Sequence, residues 1–109
     1  MGFESDKAFM GKGSTPRIRF KFPFRQEDTA AAFITLRGMQ SGSTVEKSGS
    51  EIIFGEGFVD VALSQEDTLK FDESEKIIMS IKTRLADGTV PYSPPMYTCM
   101  GGVLKEEII

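Results

Sequence analysis

The sequence predicts an all-β fold, a small antiparallel β-sandwich of immunoglobulin-like type with about seven short strands. Short apolar segments with a two-residue period recur along the chain, and Gly-, Pro- and Ser-containing turn signals separate them. No apolar stripe of helical period is long enough for a major helix. The chain has 109 residues, 39% of them hydrophobic and 27% charged, which matches one globular domain.

The clearest strand signal lies in residues 17–24, where apolar and polar residues alternate. Arg17, Arg19 and Lys21 share one side of this strand. Pro23 has no backbone N–H, which predicts that the strand lies at a sheet edge or ends there. The other side is apolar and consists of Ile18, Phe20, Phe22 and Phe24.

The other strands are predicted from shorter alternating or apolar segments. Within them, Asp60 is expected outside, whereas Cys99 is expected to be a buried structural thiol and the neighbouring methionines to fill the core. Asp87-Gly88 predicts a hairpin turn, and three prolines make the strand after it bulged or an edge strand. The predicted strands are residues 30–37, 45–47, 52–54, 58–63, 77–85, 89–92 and 96–99.

One connection is predicted to contain a helical turn. Ser64 is a suitable N-cap, and Asp67 three residues later approximates a capping box. Leu69 and Phe71 are expected to close the end of the core. The acidic residues 72–75 are interpreted as a solvated loop before the next strand.

The ends of the chain differ from its middle. Residues 1–14 are rich in Gly, Ser and Lys and are predicted to be a flexible arm. Residues 15–104 form the predicted sandwich domain, and residues 105–109 a C-terminal tail. No segment has the apolar length of a membrane span or of a signal peptide, so we expect neither membrane association nor export by that route.

The composition removes several classes of chemistry. With no His and one Cys, zinc fingers, Ser-His-Asp triads and Cys-His dyads are excluded. The string Gln-Glu-Asp-Thr occurs at residues 26–29 and 65–68, and its carboxylates are either a hard-cation site or local turn and cap groups. The second interpretation is favoured because neither copy has a calcium-loop pattern. We therefore predict no metal, no cofactor and no enzymatic activity.

Charge singles out candidate interaction residues. Residues 1–25 contain six Lys or Arg against two acidic residues, although the whole chain has a net charge of −3. The Arg17, Arg19 and Lys21 face either docks on an acidic partner or a second copy, or is the solvated side of a strand. Nucleic acid is not an expected partner because the net charge is negative. Tyr97, Ile108 and Ile109 complete the candidate interaction residues.

Residues 61–71 read VALSQEDTLKF, and they are followed by the alternating residues 77–85 and the Asp87-Gly88 turn. This order resembles a family of small phage and prophage proteins, whose members typically read L-T-Q-E-D-T-L-K-F before an alternating strand and a Gly-containing turn. The order of the remaining pieces is also similar, from Gly-Ser-Thr-Pro at residues 13–16 to the apolar and acidic residues 103–109. The resemblance implies a structural or accessory component of the virion, and it implies no catalytic residue.

Two functions remain as hypotheses. The first is a non-enzymatic, virion-associated phage protein that assembles with copies of itself or with other phage structural proteins. The second is a phage-encoded inhibitor that binds a host protein such as a defence enzyme, using the acidic part of the chain to occupy a nucleic-acid channel. These hypotheses place the protein in the virion or in the host cytoplasm.

Overall fold

The strands of the computed structural model, which describes residues 10–101, form two sheets that pack face to face. One short α-helix and two 3₁₀ turns, at Gln26–Asp28 and Gly49–Glu51, lie in the connections. The elements are β1 (Met10–Gly11), β2 (Arg17–Lys21), β3 (Thr29–Gly38), β4 (Thr44–Ser48), β5 (Ile52–Gly55), β6 (Phe58–Ala62), α1 (Gln65–Leu69), β7 (Lys76–Leu85) and β8 (Met96–Gly101).

The two sheets confirm the predicted all-β sandwich. The larger sheet has the order β1-β8-β7-β3-β4 and the smaller one the order β2-β6-β5. All pairs are antiparallel except that of the two-residue β1 with β8. An immunoglobulin domain keeps its second strand beside its first and fifth. Here β3, the second of the seven longer strands, lies between β4 and β7, so the likeness is one of architecture and not of strand order.

The core lies between the sheets and follows the predicted alternation. In β2, Ile18 and Phe20 are buried while the residues between them are exposed. The strand ends at Lys21, two residues before Pro23, and it lies at a sheet edge as expected. The buried hydrophobic cluster consists of Ile18, Phe20, Phe22, Ile34, Leu36, Val45, Ile52, Val59, Val61, Leu63, Phe71, Ile77, Met79, Ile81 and Met100.

The predicted helical turn is confirmed in detail. The backbone N–H of Asp67 donates to the Ser64 hydroxyl (3.0 Å), and the backbone N–H of Ser64 donates to the Asp67 carboxylate (2.9 Å). Phe71 is fully buried and Leu69 half-buried, so the segment closes the core as expected. Lys47 of β4 also reaches Asp67, with 2.9 Å between its Nζ and Oδ2, and thereby ties α1 to the larger sheet.

Asp60 lies on the outer face of β6 as predicted, although its cross-strand neighbour Arg19 covers it and leaves it only 4% exposed. Two predictions about exposure are wrong. Glu75 is 2% exposed instead of solvated, because backbone N–H groups of a neighbouring turn surround its carboxylate. Cys99 is exposed, because Thr98 and Met100 occupy the inward positions of β8.

One predicted strand is absent, and the predicted start of the sandwich domain also changes. No strand forms over residues 89–92: after the turn at Asp87, β8 pairs instead with the first four residues of β7. The prolines that follow the turn cannot donate ladder hydrogen bonds, which is why the return strand is lost. At the other end, Gly13 donates its N–H to the Thr68 hydroxyl (2.9 Å) and β1 pairs with β8, so residues 10–14 belong to the sandwich. The remainder of the predicted arm and the predicted tail lie outside the described residues.

Candidate interaction surface

The three predicted basic residues lie together on the outer face of the smaller sheet. Because Ile18 and Phe20 point into the core, Arg17, Arg19 and Lys21 project outward from β2. The register pairs them with Ala62, Asp60 and Phe58 of β6, and Ile53 of β5 pairs with Asp60 on the far side. We call this surface the β2 face: Arg17, Arg19, Lys21, Ile53, Phe58, Asp60 and Ala62.

Arg19 is held rigidly at the centre of the β2 face. Its Nε lies 2.8 Å from Asp60 Oδ1 and its Nη2 3.0 Å from Oδ2, a bidentate geometry. The guanidinium carbon also lies 3.6 Å from the centre of the Phe58 ring. The hydrogen bonds from Arg19 hold the pKa of Asp60 below its ordinary value, despite the burial of that carboxylate. Arg19 therefore anchors the face, and its charge is compensated.

Arg17 and Lys21 flank this anchor with uncompensated charge. Both are exposed, and neither forms an ion pair within residues 10–101. Ile53 of the edge strand β5 lies on the same face and is 56% exposed. An ordered Arg on an aromatic ring, an exposed aliphatic side chain and flanking cations together resemble the centre and rim of a protein–protein interface.

Tyr97 is not part of the β2 face. It lies on the outer face of the larger sheet, on the opposite side of the sandwich, where it is 50% exposed. The Nζ of Lys76 is 5.9 Å from its ring centre. The structure therefore separates the predicted interaction residues into two surfaces, while Ile108 and Ile109 lie outside the described residues.

The outer face of the larger sheet is a second basic surface, which the sequence analysis missed. We call it the β7 face and define it by four exposed bases, the acid Glu46, and two aromatic side chains. The alternation of β7 already places Lys82 and Arg84 on one side. The pattern of β7 alone does not reveal the whole β7 face, because Arg37 and Phe33 come from β3, about 45 residues earlier in the chain. Its residues are Phe33, Arg37, Glu46, Lys76, Lys82, Arg84 and Tyr97.

The two Gln-Glu-Asp-Thr strings are local turn segments, as favoured. The first forms the 3₁₀ turn before β3, and the second forms most of α1. Within the part of the chain that the structure describes, no group of three or more His, Cys, Asp or Glu side chains is arranged to hold a metal ion. Among the same residues, no helix has the length and apolarity needed to cross a membrane.

Fold and surface together define a small β-sandwich with charged outer sheet faces. No protein-family model, no curated protein and no solved structure matches the chain.

Proposed function

We propose that this chain is a non-enzymatic, virion-associated phage protein that acts through protein–protein assembly, and that the β2 face is its contact surface. The observation that carries the proposal is the ordered Arg19 between Asp60 and Phe58. A side chain already fixed by two hydrogen bonds and a ring loses little conformational entropy when a partner binds. The resemblance to small phage proteins supports the virion as the place of assembly.

The charges of the β2 face indicate an acidic partner surface. Arg17 and Lys21 form no ion pair within residues 10–101, and Ile53 of the edge strand β5 is exposed on the same face. Charged rims of this kind raise association rates and make binding sensitive to salt. The buried Asp60 does not repel an acidic partner strongly, because Arg19 neutralises it.

The first experiment locates the protein. Peptide mass spectrometry of purified phage particles, quantified against the major capsid protein, is expected to find this chain at a stoichiometric copy number. Its absence from clean particles, together with abundant protein in infected cells, contradicts the virion assignment.

The second experiment tests the β2 face. The R17A/K21A double variant is expected to be incorporated into particles less efficiently, by about tenfold at low salt, and its difference from the wild type is expected to shrink as salt rises. The matched control is K70A, which removes an exposed base outside both sheet faces. Equal incorporation of R17A/K21A and K70A shows that the β2 face is only solvated.

A second candidate function is a phage-encoded inhibitor of a host protein. It is favoured by the acidic connections: within residues 10–101, the segments between strands carry ten acidic residues and three basic ones. An acidic surface of this kind can occupy a basic nucleic-acid channel. Synthesis early in infection and retrieval of a host nucleic-acid enzyme by the tagged chain support this function, whereas late synthesis and packaging into particles contradict it.

A further inference from the structure

The charges of this protein are separated by structural element. Within residues 10–101 the strands carry eight Lys or Arg and two Asp or Glu, whereas the connections show the opposite balance. Since strands form the faces of the sandwich and connections form its ends, the faces are basic and the ends acidic. A face of one copy is therefore electrostatically complementary to an end of another.

The β7 face offers uncompensated bases around apolar side chains. Arg37, Lys82 and Arg84 are exposed and form no ion pair within the described part of the chain. Lys82 lies opposite Phe33, which is 42% exposed, and Arg84 lies two residues further along β7. A shallow cleft of about 170 Å³ lies between these side chains and is also lined by Val90. The cleft gives an incoming carboxylate-bearing loop an apolar floor beside the two cations of β7.

One end of the sandwich collects acidic residues from three connections. Glu27 and Asp28 precede β3, Glu56 lies in the turn between β5 and β6, and Asp87 lies in the turn after β7. All four are exposed; Arg25 is paired with Glu27 at 3.3 Å, and Arg84 lies three residues before Asp87. We call Glu27, Asp28, Glu56 and Asp87 the acidic end.

Backbone hydrogen bonds hold the acidic end together. The N–H of Phe22 donates to the carbonyl of Gly57 (3.0 Å), and the N–H of Ala86 donates to the carbonyl of Asp28 (2.8 Å). The three connections therefore present their carboxylates from a fixed frame. At the opposite end, by contrast, one carboxylate is buried (Glu75) and another is paired with Lys47 (Asp67).

From these observations we infer that the β7 face binds the acidic end of a second copy of this chain. Among residues 10–101 of one molecule, none of these four acids forms an ion pair with Arg37, Lys82 or Arg84, although Arg84 lies three residues before Asp87. Because the two surfaces differ, the contact either pairs reciprocally in a two-fold dimer or repeats from copy to copy as a ring or an open chain. The inference uses the β7 face and does not depend on the β2 face.

Reciprocal charge reversal tests this contact. The wild-type chain is expected to self-associate in sedimentation experiments at about 50 mM salt, with a dissociation constant that rises at least about tenfold at about 500 mM. R37E/K82E reverses the β7 face and D28K/E56K reverses the acidic end, and each variant alone is expected to remain a monomer. Mixed in equal amounts, the two variants are expected to form a one-to-one complex, because each retains the surface that the other has lost.

Two controls keep the outcome specific. R17E/K21E makes the same change in net charge as R37E/K82E, but on the β2 face, and is expected to self-associate like the wild type. This control distinguishes a failure of the self-association inferred here from a failure of the proposed function of the β2 face. E66K alters an exposed acid outside the acidic end and is also expected to have no effect. Circular dichroism of every variant verifies that the sandwich is folded.

Several outcomes overturn the inference. One is a wild type that remains monomeric at low salt; another is an R37E/K82E variant that associates normally; a third is a mixture of the two reversed variants that forms no complex. A single-stranded thymidine oligonucleotide tests whether the β7 face binds a polyanion instead of a second copy. If it binds D28K/E56K but not R37E/K82E while the wild type alone stays monomeric, the β7 face takes a polyanion and not a second copy.

Discussion

Thr98 places a hydroxyl group in the core of the sandwich. The residue is 3% exposed, and no group within residues 10–101 forms a hydrogen bond with its Oγ1. A buried hydroxyl without a partner loses its hydration without compensation. Valine has nearly the same shape and does not have this cost.

We therefore expect T98V to raise the free energy of unfolding by about 1 kcal/mol, measured by urea denaturation. T98S, which keeps the hydroxyl and removes the methyl group, is the control and is expected to destabilise the protein. A loss of stability in T98V shows that the hydroxyl has a partner that compensates its burial.

Glu75 is a buried carboxylate held by donors from two loops. Burial alone opposes the ionisation of this carboxylate, but four hydrogen bonds outweigh that effect. The donors are the Ser41 N–H (2.8 Å), the Asp72 N–H (2.6 Å), the Ser41 hydroxyl (2.8 Å) and the Gln40 N–H (2.8 Å). Together they hold its pKa below the ordinary value for glutamate. Because the pKa is lower in the folded state, Glu75 stabilises the fold above the unfolded-state pKa, and this contribution is lost as the pH falls through the folded-state value.

The E75Q variant tests this stabilisation. At neutral pH we expect it to lower the free energy of unfolding by about 2–3 kcal/mol, because the amide places a donor against other donors. Below about pH 4 the difference from wild type is expected to shrink, as the wild-type carboxylate becomes protonated. Urea denaturation at a series of pH values measures both effects. E66Q is the exposed control, and a pH-independent gap between E75Q and wild type contradicts the account.

At the scale of single elements, α1 is too short to be stable alone and depends on its cap. Ser64 and Asp67 satisfy each other's backbone N–H groups, and Lys47 holds Asp67 from β4. We expect S64A to cost about 1 kcal/mol of unfolding free energy in thermal or urea denaturation. S50A is the matched control, because Ser50 is exposed in the Gly49–Glu51 turn and its side chain forms no hydrogen bond within residues 10–101. An equal effect of the two changes contradicts a specific role for the cap.

The elements that sequence reasoning predicted are those whose signal is local. Ile18 and Phe20 alternate with bases within a single strand, and Ser64 and Asp67 lie three residues apart. The side of a strand and the start of a helix are determined by such short patterns. The same is true of β4, whose three predicted residues 45–47 lie within an observed five-residue edge strand.

The features that were missed depend on residues far apart in the chain. Asp60 is buried by Arg19, 41 residues away, and Glu75 by Ser41, 34 residues away. Burial of a charged side chain is favourable only with such partners, so no local pattern reveals it. The prediction for Cys99 is wrong because the prolines before β8 leave the register of this strand undetermined by the sequence. A shift of one residue moves every side chain of a strand to the other face of the sheet.

At the scale of the whole molecule, the two sheets share one core. Buried residues of the smaller sheet, such as Phe20 and Val59, belong to the same cluster as Leu36 and Met79 of the larger sheet. Neither sheet can bury its hydrophobic face without the other. The chain should therefore fold and unfold as a single cooperative unit.

We expect circular dichroism and aromatic fluorescence to report coincident urea transitions, and refolding to occur over milliseconds to seconds, as is usual for sandwiches with many non-local strand pairs. Stopped-flow fluorescence of the two tyrosines measures the rate. Separate transitions for the two probes show that part of the sandwich unfolds independently.

The packing of Gly38 against the Glu75 carboxylate has a consequence for how this sequence can diverge. A Cβ atom at position 38 lies 2.5 Å from both Glu75 Oε2 and Ser41 Oγ, so no larger side chain fits while those two remain. Three positions, one at the end of β3 and two in separate connections, are therefore constrained together. In descendants of this chain they should be retained together or replaced together, with a longer residue at 38 accompanied by a shorter one at 75.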